Sequence, residues 1–70
     1  MELKDVNSSS ISKLGYDPNT QIMLVVFRTG STYEFNKVSF DDYQKVFSSP
    51  SIGKSFKNII KNRYLCKKIS

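Results

Sequence analysis

Apolar positions follow a strand pattern in the first half of the chain and a helical pattern in the second half. We predict strands at residues 10–16, 21–28 and 31–36, since each segment carries β-branched or aromatic side chains and is bounded by turn residues. The connections are short: a turn at residues 17–20, where Asp17 bonds its own backbone ahead of a proline, and the tight turn Thr29-Gly30. The pattern therefore predicts a three-stranded antiparallel meander.

The middle predicted strand is apolar on both faces. Its even-numbered residues, 22 to 26, point one way, and Met23, Val25 and Phe27 point the other. Such a strand is normally covered on both sides, but two short helices cannot easily cover both. We expect the face around Met23, Val25 and Phe27 to be the outer face of the sheet.

The first predicted helix begins after Ser39. This serine suits an N-cap, and Asp42 three residues later completes an approximate capping box. Apolar residues then recur at helical spacing up to about Ser48, where Pro50 disfavours further helix.

A second helix is predicted from a cap at Ser49 or Ser51 to about Asn62. The tail, RYLCKKIS, is compatible with a last helical turn, a short extended segment or a frayed end. The fold class is α+β, a three-stranded antiparallel β-meander followed by two short α-helices packed on one face. We expect a single domain over residues 1–70, with residues 1–8 and 65–70 as candidates for frayed ends.

The tripeptide Gly53-Lys54-Ser55 raises the question of a nucleotide-binding P-loop. That motif needs a further glycine five positions before Gly53, where this chain has Ser48, and it needs a preceding parallel strand. Neither condition is met, so we interpret the tripeptide as the first turn of the second helix.

On a helical wheel, the second helix separates an apolar arc from a cationic stripe. With Phe56 at 0° and about 100° per residue, Ile60 lies within about 40° of it, while the lysines lie at about 100° to 160°. The stripe consists of Lys54, Lys57 and Lys61. Like charges at this spacing cost a few tenths of a kcal/mol per pair, so the stripe favours a functional role, with simple solubility as the alternative.

Charge is distributed unevenly along the chain. Residues 1–53 carry five basic and six acidic side chains, whereas residues 54–70 carry six basic and no acidic ones. The total is +5, and the asymmetry indicates a polyanionic partner. The candidate nucleic-acid-binding residues are Ser51, Lys54, Lys57, Asn58, Lys61, Arg63, Lys67 and Lys68.

Several classes of protein are disfavoured by composition. The chain has no histidine and one cysteine, Cys66, which gives no metal site and no internal disulfide. Its acids suit turns and caps rather than a paired catalytic set, so we expect no enzyme activity and no cofactor. No segment has the length of a membrane span or the pattern of a signal peptide, and we expect a cytoplasmic protein.

The aromatic residues leave two alternatives open. Tyr33 and Phe35 share one strand face and could stack on single-stranded bases, but we expect a sheet this small to need that face for its core. Tyr64 could likewise stack on a base, and we favour packing beneath the tail.

Motifs in a fixed order resemble one family, the KTSC domain, named for its occurrence at the C-terminus of some lysyl-tRNA synthetases. They are GYD at 15–17, an apolar strand at 22–27, G-x-x-Y-x-F at 30–35, V-x-x-x-x-Y at 38–43 and S-x-G-x-x-F-x-x-x-I-x-x-x-Y at 51–64. The last motif places Ser51, Gly53, Phe56, Ile60 and Tyr64 at the family's positions. This sequence departs from the family pattern at Ser39, Lys57 and Asn62.

The resemblance spans roughly residues 8–69 and implies a compact α+β domain with a role in RNA binding. It also implies a small stand-alone protein of bacteria or phages, without aminoacylation. We therefore expect a binding module for RNA or other nucleic acid, of weak or non-specific affinity, acting through the basic helix. The alternative is a protein–protein interaction module, an adaptor or a homodimer, that uses the apolar sheet face.

Overall fold

The computed structural model of the chain describes residues 2–70 and has an α+β fold, in which five antiparallel strands form one sheet in sequence order and two helices pack against it. The strands are β1 (Leu3–Asp5), β2 (Ile11–Asp17), β3 (Ile22–Phe27), β4 (Thr32–Phe35) and β5 (Cys66–Lys68). Helix α1 (Phe40–Phe47) follows β4 along the chain and precedes the second helix. The second helix comprises α2 (Ile52–Ser55) and a π-helical segment (Phe56–Lys61) that continues from it.

The α+β fold class and the three central strands are confirmed, but the number of strands is not three. Strands β1 and β5 add to the two edges of the meander, pairing with β2 and β4. Strand β1 lies within residues 1–8 and β5 within residues 65–70, the two segments predicted as candidates for frayed ends. Met1 is outside the described residues. Both strands are three residues long and exposed on both faces. Their sequences therefore need no alternation of apolar and polar residues, and backbone hydrogen bonds to β2 and β4 are what identify them as strands.

The local turn and cap predictions are confirmed. The Asp17 carboxylate accepts a hydrogen bond from the Asn19 amide at 2.9 Å, and Gly30 has a φ of 99°. Ser39 caps α1 by accepting from the amide of Asp42 at 3.2 Å. Ser51, rather than Ser49, precedes the second helix.

The assignment of faces on β3 is the reverse of the one expected. Met23 and Val25 have no exposed surface. Their strand register places them opposite Phe35 and Tyr33, on the same face as the buried residues of both helices. The aromatic residues of β4 determine which face of β3 is buried. They need a covered face, the helices cover it, and Met23 and Val25 lie on that face beside them.

No helix of residues 2–70 covers the opposite face of the sheet. There the even-numbered residues of β3, Ile22, Leu24 and Val26, are half-buried between neighbouring strands. The broad part of the sheet that the helices leave uncovered is therefore this face. On the other face the helices cover Met23 and Val25, and the end near Phe27 lines open cavities.

A hydrogen bond ties the end of the second helix to the start of α1. The Tyr64 hydroxyl donates to the Asp42 carboxylate, which is 7% exposed. Arg63 lies 4.0 Å from the same carboxylate. Tyr64 therefore packs, as favoured over stacking on a base, but the contacts observed are with the core and α1.

A close contact also fixes the second helix against the loop between β1 and β2. A Cβ at Gly53 would lie 2.9 Å from Ser10 Oγ and 3.3 Å from Ser8 Oγ. Ser8 Oγ accepts hydrogen bonds from the backbone amides of Ser10 and Ile11, so it is not free to rotate away. A glycine lets the helix approach this loop, whereas any larger residue would force the Ser10 hydroxyl to move and would press on Ser8 Oγ.

Tyr16 joins the sheet to α1. Its hydroxyl donates to the Val38 carbonyl at 2.6 Å, and its ring stacks on Tyr43 with centroids 4.8 Å apart. Burial raises the pKa of both phenols, with Tyr64 and Asp17 adding to the effect at Tyr16.

We expect Tyr64→Phe to lower the free energy of unfolding by about 1–3 kcal/mol, because it leaves a buried carboxylate without its hydroxyl donor. Urea denaturation of Tyr64→Phe, Asp42→Asn and the double variant would measure the coupling between the two groups. Tyr33→Phe is the matched control, since its hydroxyl makes no side-chain hydrogen bond within residues 2–70. Equal losses in Tyr64→Phe and Tyr33→Phe would contradict the role of the bond.

Gly53→Ala tests the contact between loop and helix. At an unhindered helical position this change would stabilise by roughly 0.8–1 kcal/mol, and here we expect a loss of stability instead. Adding Ser10→Ala, which removes the nearer oxygen, should restore part of it. If Gly53→Ala stabilises the protein equally with and without Ser10→Ala, the close approach is absent.

The raised phenol pKa values make stability dependent on alkaline pH. The unfolded chain ionises tyrosine near about pH 10, whereas folding holds Tyr16 and Tyr43 neutral. Their contribution is complete below that pH and is lost as the pH rises through the folded-state pKa values. We expect the fall in unfolding free energy from pH 9 to pH 11 to be smaller in Tyr16→Phe, and an equal fall would contradict this origin.

Candidate nucleic-acid interface

An open groove of about 680 Å³ runs between the loop that joins β1 to β2 and the second helix. We call it the lysine groove. One wall is formed by loop residues 7–10 and the other by the helix and the segment before it, with Phe27 beneath them. The helix side contributes residues 50–54, Phe56, Lys57, Asn58 and Lys61.

The three lysines of the predicted stripe are exposed and line this one groove. The ion pairs among the described residues are Lys13–Asp5 and Arg63–Asp42, so none involves the stripe. No Asp or Glu is among the described residues that line the groove. The ammonium groups are consequently free to meet an external anion.

The eight candidate residues divide into two groups. Ser51 and Asn58 line the lysine groove together with the three lysines. The other three candidates lie elsewhere: Arg63 beside Asp42, Lys67 opposite Glu34 and Lys68 opposite Tyr33 on the edge strand. The structure thus gathers five candidates and separates three.

Arg28 holds the loop wall of the groove. Its Nε donates to the Ser8 carbonyl at 2.5 Å, and its backbone amide donates to the Ser10 carbonyl at 3.0 Å. Its observed contacts give it a positioning role for residues 8–10.

The Gly53-Lys54-Ser55 tripeptide lies in α2, as expected, and the segment before it follows α1 rather than a strand. The Ser55 hydroxyl donates to the Ser49 hydroxyl at 2.6 Å. Ser55 is therefore engaged in positioning the turn before the helix.

A second, smaller cavity of about 310 Å³ adjoins the lysine groove. We call it the aromatic pocket. The two cavities are neighbours, because three residues line both: Phe27, Phe56 and Lys61. The remaining walls of the aromatic pocket are Thr29, Ser31, Tyr33, Phe35 and Cys66.

The rings of the aromatic pocket meet edge to face. Phe27 lies at 86° to Tyr33 and at 71° to Phe56, and Phe35 lies at 85° to Phe56, with centroids 5.4 to 5.7 Å apart. Phe35 and Phe56 are nearly fully buried, whereas Phe27 and Tyr33 are half-exposed. Of the two aromatic residues of β4, Phe35 is core as expected, and Tyr33 combines packing with an accessible ring.

The π-helical segment explains why Lys61 lines the aromatic pocket. On an α-helical wheel Lys61 lies about 140° from Phe56. A π-helix instead bonds residue i to residue i+5 and therefore places Lys61 one turn above Phe56. The wheel correctly predicts Phe56 and Ile60 as core, but its assumption of regular helix to about Asn62 is wrong.

Sequence reasoning missed the loop that completes the groove. Residues 7–10 are small and polar and carry no charge or motif of their own. A usable signal is Gly53, which stands inside a helical segment where alanine would be favoured. A glycine there indicates a close neighbour, although it does not identify which segment that neighbour is.

Two chemical features are absent from the described part of the chain. No helix within residues 2–70 combines the length and apolarity that crossing a membrane requires. The same residues contain no cluster of three or more His, Cys, Asp or Glu side chains able to hold a metal ion.

Comparison with solved structures finds a close match in the crystal structure of a KTSC domain protein from Yersinia pestis. The TM-score is 0.94 at 35% sequence identity, and the match covers 99% of this chain and 97% of that one. A likeness of this extent includes the two edge strands as well as the central meander.

Two bacterial sequences are also similar over most of their length. An uncharacterized protein from Stutzerimonas stutzeri is 34% identical over 59 residues, 84% of this chain and 83% of that protein. A protein from Tsukamurella paurometabola is 32% identical over 62 residues, 89% of this chain and 92% of its own. The family model for the KTSC domain matches residues 7–64, a span that runs from the loop wall of the lysine groove to Tyr64, and the chain belongs to the KTSC domain family.

Proposed function

We propose that this KTSC domain is a non-enzymatic binding module that takes RNA or other nucleic acid along the lysine groove. The observation that carries the proposal is the arrangement of Lys54, Lys57 and Lys61 on one groove wall, without a carboxylate partner among the described residues. A folded chain gains nothing from placing like charges three and four residues apart. A polyanion laid along the helix would turn that cost into attraction.

The chemistry of the groove fits a phosphate backbone better than a particular base sequence. Three ammonium groups act as point charges for phosphate oxygens, while Asn58 and Ser51 offer neutral hydrogen-bonding groups to sugar or phosphate. Contacts of this kind position a nucleic acid and carry no sequence information. We therefore propose weak or non-specific binding.

A second candidate function, a protein-interaction module or homodimer, is favoured by one observation. The helix-free face of the sheet leaves Ile22, Leu24 and Val26 partly exposed. Light scattering on the purified protein separates the two proposals, since a dimer or a co-purifying protein supports the second and a monomer enriched in nucleic acid supports the first.

Replacing Lys54, Lys57 and Lys61 by Glu should abolish RNA retention in a gel-shift assay. In the unaltered protein we expect the logarithm of the affinity to fall with the logarithm of salt concentration at a slope of about −2, since three single-strand phosphate contacts contribute about 0.7 each. The assay uses a short unstructured RNA at low and physiological salt.

The matched control is Lys4→Glu, Lys37→Glu and Lys45→Glu combined. It changes the net charge by the same amount, from +5 to −1, at exposed lysines outside the groove. Retention that survives the groove substitutions, or that both triple variants lose equally, would defeat the proposed site.

A further inference from the structure

We propose that the aromatic pocket receives one unstacked base of a single-stranded nucleic acid whose backbone lies in the lysine groove. This inference rests on the proposed function and narrows it to single strands. The two cavities are neighbours that share Phe27, Phe56 and Lys61 as lining residues, so one strand is long enough to reach both.

The pocket has the size and lining of a site for a flat apolar group. Its volume of about 310 Å³ is near the lower end of ligand pockets, which span about 300–1,000 Å³. Phe35 and Phe56, 2% and 4% exposed, form its floor, and the half-exposed rings of Phe27 and Tyr33 form accessible walls. Aromatic walls beside a cationic groove are typical of single-strand binding, where stacking supplies affinity for every base.

Polar groups at the pocket can hydrogen-bond to the edge of a base, but they do not select a particular base. Thr29 and Ser31 carry hydroxyls that can donate or accept, and both line the pocket. Since a hydroxyl can complement either kind of base edge, we expect modest preference among bases.

Lys61 connects the two parts of the site. The π-helical segment sets it one turn above Phe56, and it lines both cavities. In the proposed arrangement Lys61 pairs with the phosphate attached to the bound nucleotide. A duplex cannot use this arrangement, because its bases remain stacked inside the helix.

The substitution test measures affinity by fluorescence anisotropy for a labelled single-stranded RNA and for the same strand in a duplex. We expect the single strand to bind more tightly. Tyr33→Leu should weaken single-strand binding roughly fivefold or more with the salt slope unchanged, because no phosphate contact is lost. Tyr33→Phe keeps the ring and should restore most of the affinity that Tyr33→Leu loses.

Phe40→Leu is the matched control. It also removes an aromatic ring, from an α1 residue that is 51% exposed and outside both cavities, and it should leave affinity unchanged. Equal binding of duplex and single strand, or unchanged affinity in Tyr33→Leu, would overturn the pocket assignment.

A second measurement needs no substitution. Cys66 is exposed, is the one cysteine of the chain and lines the pocket, so its alkylation rate reports access to the cavity. Single-stranded RNA should slow alkylation, and an unchanged rate at saturating RNA would contradict the proposal. If the groove lysines are necessary for binding, but neither the affinity of Tyr33→Leu nor the alkylation rate of Cys66 changes, the proposed function stands and the base pocket is wrong. If no strand binds at low salt, both proposals are wrong.

Discussion

Burial of Phe56 between Phe27 and Phe35 is the contact on which the rest of the molecule depends. It seats the second helix on the sheet and, with Ile60, fixes which side of that helix faces inward. A side of the helix that stays exposed carries three lysines, Lys54, Lys57 and Lys61. The same ring also forms the floor of the aromatic pocket, so one packing interaction determines both the core and the geometry of the candidate site.

Two constraints keep the candidate site in place around that contact. Gly53 allows the loop at residues 7–10 to approach the helix, and Arg28 holds the same loop from the sheet side. At the other end, Tyr64 bonds to Asp42 and joins the end of the second helix to α1. The lysines therefore project from a helix that is restrained at both ends, which would reduce the ordering cost of binding a ligand at the candidate site.

The sequence predicts those features that depend on neighbouring residues. The Ser39 cap, the turn at Asp17 and the core positions Phe56 and Ile60 follow from local geometry and periodicity. The edge strands do not, because residues such as Lys67 pair through backbone groups alone and leave no pattern. The outward face of β3 and the π-helical turn that carries Lys61 depend on packing between distant segments, and a periodicity argument cannot decide either.

The two edge strands have a consequence for association between copies. An uncovered sheet edge offers free backbone donors and acceptors to any extended chain that lies alongside it. Here each edge is only three residues long, and charged side chains occupy both: Lys4 and Asp5 on β1, Lys67 and Lys68 on β5. An incoming strand would have to desolvate ammonium or carboxylate groups for very few backbone bonds, so the sheet resists growing into a fibre.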